Sequence, residues 1–306
     1  MTASPDVTTA TPLTRLLDDL VGRIERAEVL DAISRPAAAI EQKIGATLPW
    51  WKNAMSGTFL GHPLHPLLVA LPIGSWTASG VFDLVGDRKG AQRLAGLGVL
   101  TALPTMAAGG SDWAYTTGAE QRVGLVHAAF NSATVGAYTL SWLQRRRGHW
   151  FRGVGWSVVG AVTLTAGGWL GGHLSYALGV GVDTTAFQHS EQEWTPTVAS
   201  LDVRSGALTG ADADGVPVLL TRRADGSVVA LADRCTHRGG PLHEGKLVDG
   251  CIVCPWHHSE FALDGAVLRG PATRPQLAYE VLERDGQVLV RVADEQRSLR
   301  TNPVGV

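Results

Sequence analysis

Four long apolar stretches in the middle of the chain constrain its fold more than any other feature. They lie at roughly 65–86, 93–114, 123–143 and 154–180 and contain almost no charged side chains, and each is near the ~20 residues that a membrane span needs. Buried helices of a large soluble bundle are the alternative, but four such stretches in series, with arginines in the short connections, favour a membrane bundle. Small residues three or four apart would let its helices approach closely, as in Gly167, Gly168, Gly171 and Gly172.

Residues 12–34 predict an amphipathic helix ahead of these stretches. Apolar side chains recur at helical spacing and share one face: Leu13, Leu16, Leu17, Leu20, Val21 and Ile24. Such a face lies either on the membrane surface or against the bundle, and we expect it to pack against the bundle.

Positive charges predict the orientation of the bundle. Lysine and arginine favour the cytoplasmic side of a membrane, and they gather in the connections after the first and third stretches: Arg88, Lys89 and Arg93, then Arg145, Arg146, Arg147 and Arg152. The connection after the second stretch carries only Arg122. We therefore expect the two arginine-rich connections in the cytoplasm and both ends of the chain on the other side of the membrane.

From about Trp194 the pattern changes to short β-type runs, such as VPVLL, SVVAL, GCIVC and GQVLVRV, separated by turns that end in Asp-Gly. This pattern is typical of a small antiparallel all-β domain. The chain is thus predicted to contain an amphipathic helical segment at 1–60, a four-helix transmembrane domain at 61–183, a linker at 184–193 and an all-β domain at 194–306.

All three cysteines, Cys235, Cys251 and Cys254, lie in this β-rich part, and their clustering favours a metal site over a disulfide framework. Cys251 is expected to be a small buried hydrophobic residue. The net charge of −2 gives no reason to expect a nucleic-acid partner.

Two candidate metal-binding loops carry one cysteine and one histidine each. The first is Cys235-Thr-His237, the second is Cys254-Pro-Trp-His257, and sixteen residues separate them. One thiolate and one imidazole per loop suit a two-iron cluster in which both cysteines bind one iron and both histidines bind the other. Zinc in a Cys2His2 site is the alternative, although its usual spacings differ from these.

Residues 194–294 resemble a Rieske [2Fe-2S] domain. The segments CTHRGGPL at 235–242 and CPWHHSEFALDGAVLRGPA at 254–272 match its two cluster-binding loops and the following GPA segment in order and spacing. The resemblance implies that the cluster ligands are Cys235, His237, Cys254 and His257.

The chain departs from the Rieske pattern around the predicted cluster. High-potential members of the family have a disulfide between two further cysteines, and Gly240 and Trp256 take those positions here. Ser259 matches a serine whose hydroxyl donates to a cluster sulfur, whereas Phe261 replaces a tyrosine that gives a second such bond. Because each lost hydrogen bond leaves the reduced cluster less stabilised, we expect a potential in the lower part of the range of about −150 to +300 mV. His258 stands where the family usually has glycine. We expect it to be an exposed side chain beside the cluster. A group whose protonation is coupled to electron transfer is the alternative.

Polar residues near or inside the apolar stretches form a second candidate site. Histidine within a membrane is costly, and the alternating direction of the spans predicts that His65, Asp112, His127 and His173 gather at one depth. Histidines on facing helices can ligate a b-type haem, while a quinone site and plain hydrogen bonding are the alternatives. Residues 13–183 also resemble a bacterial four-helix membrane domain of uncharacterised function that opens with GHPLHP and closes with GGHL, which supplies no activity.

The sequence therefore predicts a two-part protein: an α-helical four-span membrane bundle followed by a small all-β Rieske domain. We expect a multi-pass protein of a bacterial cell membrane, with the Rieske domain on the extracytoplasmic side, that passes single electrons between a haem or quinol donor in the membrane and a redox partner protein. A subunit of a quinol-oxidising or oxygenase-type complex and a redox-sensing module are the alternatives. We expect no oxygenase catalytic domain, because only about a dozen residues follow the region that resembles a Rieske domain and none is a histidine for a mononuclear iron.

Overall fold

The computed structural model of the chain describes residues 11–186, 188 and 193–292. The chain forms two compact units, each assembled from several segments. The first contains residues up to Gln42, Leu68–Met106 and Trp113–Val180; the second contains Lys43–Leu67, Ala107–Asp112 and residues from Gly181 onward. The domain boundaries predicted from the sequence stay predictions.

Seven α-helices lie in the described part of the chain before residue 180. Their bounds are α1 (Pro12–Arg26), α2 (Asp31–Thr47), α3 (Pro49–Ser56), α4 (Leu64–Leu84), α5 (Arg88–Trp113), α6 (Gly118–Arg146) and α7 (Trp150–Tyr176). The last four cover the apolar stretches, so each of those stretches is helical.

The amphipathic helix is α1. The hydroxyl of Thr11 accepts a hydrogen bond from the backbone N–H of Thr14 at 3.2 Å, which caps the first turn. Val21 is buried and packs with Val123 of α6 and Leu170 of α7. The face therefore packs against the helical unit at its C-terminal half, while its first leucines stay exposed: Leu13, Leu16 and Leu20.

Helices α6 and α7 pack closely where α7 has glycine. A Cβ atom on Gly167 would lie 3.0 Å from Oδ1 of Asn131, and one on Gly171 would lie 3.0 Å from the His127 ring. Gly168 has open space around it, and Gly172 would meet only Tyr176. Two of the four predicted glycines thus allow the close approach of the helices.

Polar side chains pair with each other inside the helical unit. The Ser141 hydroxyl donates to the Gly153 carbonyl at 2.7 Å and lies 2.8 Å from the Ser157 hydroxyl. The Arg145 guanidinium, which is fully buried, forms a bidentate ion pair with Asp83 in which Nη2 lies 2.6 Å from Oδ2. Each of these polar groups is compensated within the protein, as burial in an apolar environment requires.

Within the described residues, three helices are long and apolar enough to cross a membrane by length and composition: α4, α5 and α7. The remaining long helix, α6, carries Gln121, Arg122, His127 and Asn131 in its first half. Arg122, for example, donates to Asp31 from Nε at 2.7 Å. The predicted count of four spans is therefore not confirmed, because the inward-facing polar residues of α6 lower its hydropathy.

Ten antiparallel strands form two sheets in the described part of the second unit. The six-stranded sheet has the order β1-β10-β9-β4-β3-β2, and the four-stranded sheet has the order β5-β6-β7-β8. The strands are β1 (Thr195–Ala199), β2 (Thr209–Ala213), β3 (Val216–Arg222), β4 (Val228–Ala232), β5 (Lys246–Val248), β6 (Cys251–Val253), β7 (Glu260–Ala262), β8 (Val267–Arg269), β9 (Ala278–Arg284) and β10 (Gln287–Val292). The all-β prediction for this region is confirmed.

The Asp-Gly turns close hairpins of the predicted kind. Asp214 and Gly215 join β2 to β3 with φ values of 53° and 85°, and Asp285 and Gly286 join β9 to β10 with φ values of 53° and 78°. Positive φ at both central residues is the geometry of two-residue hairpin turns, which asparagine, aspartate and glycine favour.

Strands β3 and β4 separate two hydrophobic cores. Val218 and Leu220 of β3 pack in the first core with Tyr279 of β9. Leu219, which points the other way because side chains alternate along a strand, packs in the second core with Leu231 of β4. The second core also contains Cys235, Leu242, Ile252, Cys254, Phe261 and Ala272. It is this core that positions the candidate site.

Candidate metal centre

Two short loops hold the four predicted metal ligands. The first follows β4 and is closed by the backbone N–H of Cys235, which donates to the Gly240 carbonyl at 2.9 Å. The second follows β6 and is closed by the N–H of Cys254, which donates to the Ser259 carbonyl at 2.9 Å. Each loop therefore presents its cysteine and its histidine from a fixed turn.

The two cysteines meet in the second hydrophobic core. Cys235 and Cys254 are each 1% exposed. The Cys235 thiol donates to the Cys254 sulfur, and this bond, together with the backbone N–H groups of Trp256 and His257, lowers the pKa of Cys254 to about 7. The same contact, reinforced by burial, raises the pKa of Cys235. The Cys235 thiol thus keeps its proton, whereas the Cys254 thiol loses its proton near neutral pH.

The two histidines form a second pair beside the cysteines. The rings of His237 and His257 have centroids 5.0 Å apart and planes at 88°. Burial, with His257, Lys52 and Arg238 as further causes, holds the pKa of His237 well below its usual value. Burial, followed by Arg238, His258 and Lys52, lowers the pKa of His257 to about 4. Both imidazoles are therefore neutral at pH 7, the state in which histidine binds a metal.

The donor set fits a two-iron cluster. Nδ1 of His237 is buried and has no hydrogen-bond partner in the described part of the chain, so it is available as a ligand. The two cysteine sulfurs contact each other, and the two histidine rings are neighbours. A Rieske cluster takes two protein ligands of the same kind at each iron. The pairing of like ligands thus favours the cluster over zinc.

Ser259 and Phe261 support the two loops from the second core. Both side chains are fully buried. Oγ of Ser259 accepts a hydrogen bond from the backbone N–H of Ala272 at 3.0 Å, so its own proton is free to be donated elsewhere. Phe261 contributes only apolar surface to the core.

Trp256 covers the first loop at Gly240. A Cβ atom on Gly240 would lie 3.1 Å from the indole ring and 3.1 Å from the sulfur of Cys254. The indole therefore packs directly on the glycine, at the two positions where high-potential Rieske proteins have a disulfide. Trp256 is 54% exposed, so its outer face forms part of the surface next to the site.

His258 and Cys251 flank the site. His258 is exposed, as predicted, and its φ of 58° lies in the left-handed region that favours glycine. This conformation explains why glycine is usual at the position. Cys251 was expected to be buried, and this is wrong: it is only half-buried, because it lies on the short strand β6 next to the Asp249-Gly250 turn.

The four polar residues of the second candidate site fall into both compact units. His65 and Asp112 belong to the second unit, and a Cβ atom on Gly109 would lie 2.8 Å from the His65 ring. His127 and His173 belong to the first unit. Their predicted gathering at one depth stays a prediction.

The histidines of the helical unit bond to protein groups. Nδ1 of His127 lies 2.8 Å from the Gly167 carbonyl and must be its donor, so Nε2 is the acceptor for the Asn131 amide 3.0 Å away. Nε2 of His173 lies 2.9 Å from Oε1 of Glu25. These bonds support the structural alternative for both residues and give no support to haem ligation.

Lys52 was missed as a site residue in the sequence. Its charge reaches both histidines of the metal centre. The available signal was a single lysine between Trp51 and an otherwise uncharged stretch that ends at Gly57. Asp233 was also missed: it accepts from the backbone N–H of His243 at 2.8 Å and supports the first loop.

Comparison with known proteins assigns both parts of the chain. Residues 193–290 match the model of the Rieske [2Fe-2S] domain. A ferredoxin subunit of 3-phenylpropionate/cinnamic acid dioxygenase from Photorhabdus laumondii is 40% identical over 74 residues, which are 24% of this chain and 70% of that protein. The chain therefore belongs to the Rieske [2Fe-2S] family, whose domain implies a [2Fe-2S] cluster and iron–sulfur electron transfer. Residues 61–184 match the model of a predicted membrane protein family, DUF2231.

Other relatives are much longer than the region they share with this chain. The iron–sulfur subunit TsaM1 of the toluene-4-sulfonate monooxygenase system of Comamonas testosteroni is 38% identical over 88 residues, which are 27% of this chain and 25% of the relative. Chlorophyllide a oxygenase of Chlamydomonas reinhardtii is 36% identical over 80 residues, which are 26% of this chain and 12% of the relative. This chain therefore spans only a quarter or less of the length of these two relatives.

Proposed function

We propose that the protein is a membrane-anchored Rieske electron-transfer protein that passes single electrons between a donor in the membrane and a separate acceptor. The observation that carries the proposal is the arrangement of two buried cysteines and two neighbouring histidines on the loops after β4 and β6. The cluster supplies one-electron redox chemistry when it is bound.

The four residues have different roles in this proposal. Cys235 and Cys254 hold the inner iron, because their sulfurs lie together in the second core and accept backbone N–H groups. His237 and His257 hold the outer iron, because they are half-buried and their rings lie next to the surface. Electrons would therefore enter and leave at the histidine edge.

The helical unit is proposed to anchor the protein with four spans, α4 to α7. Two polar residues of α6 support this reading, since Arg122 bonds to Asp31 of α2 and His127 bonds to Gly167 of α7. Arg88 and Arg145 both lie over the Trp150 ring, at 5.3 and 4.3 Å, so the two arginine-rich connections share one end of the unit. We place this end in the cytoplasm and the Rieske domain on the extracytoplasmic side of a bacterial membrane.

A second candidate is the electron-delivering component of an oxygenase-type system. The relative for which this chain covers 70% of the length is a ferredoxin subunit of a dioxygenase. In this reading the acceptor is a separate oxygenase protein. A low potential, as expected from Phe261 and from the Gly240–Trp256 pair, suits such delivery.

The first experiment is the optical and electron paramagnetic resonance spectrum of the purified protein, oxidised and reduced. We expect broad bleaching of cluster absorption on reduction and a resonance signal from the reduced cluster. Protein reconstituted with iron and sulfide that shows neither would refute the proposal. The same optical spectrum tests haem, which would add a sharp α-band.

Membrane anchoring and orientation are tested separately. Residues 61–184 should keep the protein in the membrane fraction after an alkaline wash. Protease added to intact spheroplasts should cleave the Rieske domain, and protease added to inverted vesicles should not. Cleavage only in inverted vesicles would place the domain in the cytoplasm and overturn the charge-based orientation.

A further inference from the structure

Lys52 of α3 is a buried cation in the unit that contains the metal centre. Its side chain is 1% exposed, and it is among the largest fully buried side chains of the described residues. Nζ donates to the carbonyl of Ser111 at 2.9 Å and to the Ser111 hydroxyl at 3.1 Å. Burial of an ammonium group costs several kcal/mol unless it is compensated, so lysine is rarely fully buried.

Helix α3 is held against β8 and the segment that follows it. The side-chain amide of Asn53 donates to the Leu268 carbonyl at 3.3 Å and accepts from the backbone N–H of Gly270 at 3.0 Å. A Cβ atom on Gly270 would lie 3.1 Å from Oγ1 of Thr58. Together with the two bonds from Nζ to Ser111, these contacts hold α3 and its buried charge in one position.

The segment after β8 in turn supports the second ligand loop. Ala272 donates its N–H to Ser259, two residues after the predicted ligand His257. Two hydrogen bonds and the backbone between Gly270 and Ala272 therefore connect Asn53 to Ser259 of the second ligand loop. Lys52 comes from outside the region 193–290 that matches the Rieske family.

The hydrogen bond between Asn53 and Gly270 and the one between Ala272 and Ser259 place the helix that carries Lys52 next to the ligand loop after β6. Asp112 is the acidic residue that interacts with Lys52 and partly offsets its charge.

We propose that Lys52 tunes the metal centre: its buried positive charge, held in place by the docking of α3 on the segment after β8, raises the reduction potential of the cluster. Reduction adds one electron and hence one negative charge to the cluster, and a fixed cation nearby stabilises that charge. Because the charge is buried, salt screens it little. The inference rests on the proposed electron-transfer function.

The test is a redox titration of the full-length protein in detergent, followed by the resonance signal of the reduced cluster. Lys52→Met should lower the equilibrium constant for reduction about tenfold, which is 59 mV for one electron. Lys52→Arg keeps the charge and should restore most of the potential. Lys43→Met removes an exposed lysine of the same unit and should leave the potential unchanged.

The outcomes separate this inference from the proposed function. A Lys52→Met protein that holds its cluster and has the potential of Lys43→Met would overturn the tuning role. Loss of the cluster in both Lys52→Met and Lys52→Gln would mark Lys52 as structural and would also overturn it. A wild-type protein without a cluster signal would instead refute the electron-transfer function itself.

Discussion

The metal centre and the α6–α7 contact use the same kinds of polar residue in opposite ways. At the metal centre Nδ1 of His237 is buried and has no partner in the described residues. In α6 both ring nitrogens of His127 are bonded, to Gly167 and to Asn131. A buried polar atom without a partner points to a missing ligand, whereas a fully bonded one points to a structural role. The sequence shows a histidine in both cases, and only the surroundings separate them.

The largest effect is expected from replacing a predicted cysteine ligand, which tests whether the metal centre binds a cluster. Cys235→Ser should abolish cluster binding, since an alcohol replaces one of four ligands and cannot be deprotonated near neutral pH. Iron and acid-labile sulfide content measure the loss. Cys251→Ser is the matched control and should keep the full cluster, because Cys251 lies on β6 outside both ligand loops. An unchanged iron content in Cys235→Ser would break the ligand assignment.

In the helical unit the corresponding test is the ion pair between Arg145 and Asp83. Arg145→Met should destabilise the unit by about 3–5 kcal/mol, because it leaves the carboxylate buried without its partner. Thermal unfolding in detergent measures this. Arg147→Met, at an exposed position next to it, should change stability by only about 0.5 kcal/mol. Equal effects of the two substitutions would show that the pair is not a structural element.

The cysteine pair makes a prediction for pH. In cluster-free protein carrying Cys251→Ser, the thiolate absorbance of Cys254 should appear as the pH rises through about 7. Thiolate is lost below this pH, because protonation removes the charge that the Cys235 thiol stabilises. Cys235→Ala should move the titration toward the ordinary thiol pKa, and Cys235→Ser, which keeps a donor, should move it less. A titration that does not respond to Cys235→Ala would exclude the sulfur–sulfur contact.

The smallest expected effect is at His258. His258→Gly should stabilise the protein by about 0.5–1 kcal/mol, because glycine adopts a positive φ without the steric cost that a Cβ atom brings. His258→Ala keeps the Cβ atom and serves as the control. The unfolding midpoint of the holoprotein measures the difference. If the alanine variant is as stable as the glycine variant, the left-handed conformation carries no strain.

The fold was predictable where its determinants are local. The Asp-Gly hairpins and the alternating side-chain directions in β3 depend on a few neighbouring residues. The helices of the four apolar stretches likewise follow from the local sequence. The ligand loops were predictable because each pairs its cysteine and histidine within a single turn. The contact of Asn53 with Gly270 joins residues 217 positions apart, and no spacing rule reports it. For the same reason Lys52 was not recognised as a neighbour of the metal centre.

The division of the β-rich unit into two cores has a consequence for how the protein matures. Val218 and Leu220 pack in a core that contains neither predicted cysteine ligand, while Leu219 packs in the one that contains both. We expect the six-stranded sheet to fold before iron arrives, with only the four-stranded sheet left loose. A biosynthetic scaffold that delivers iron and sulfide would then meet a half-built domain in which the ligand loop after β4 is already anchored and the one after β6 is not.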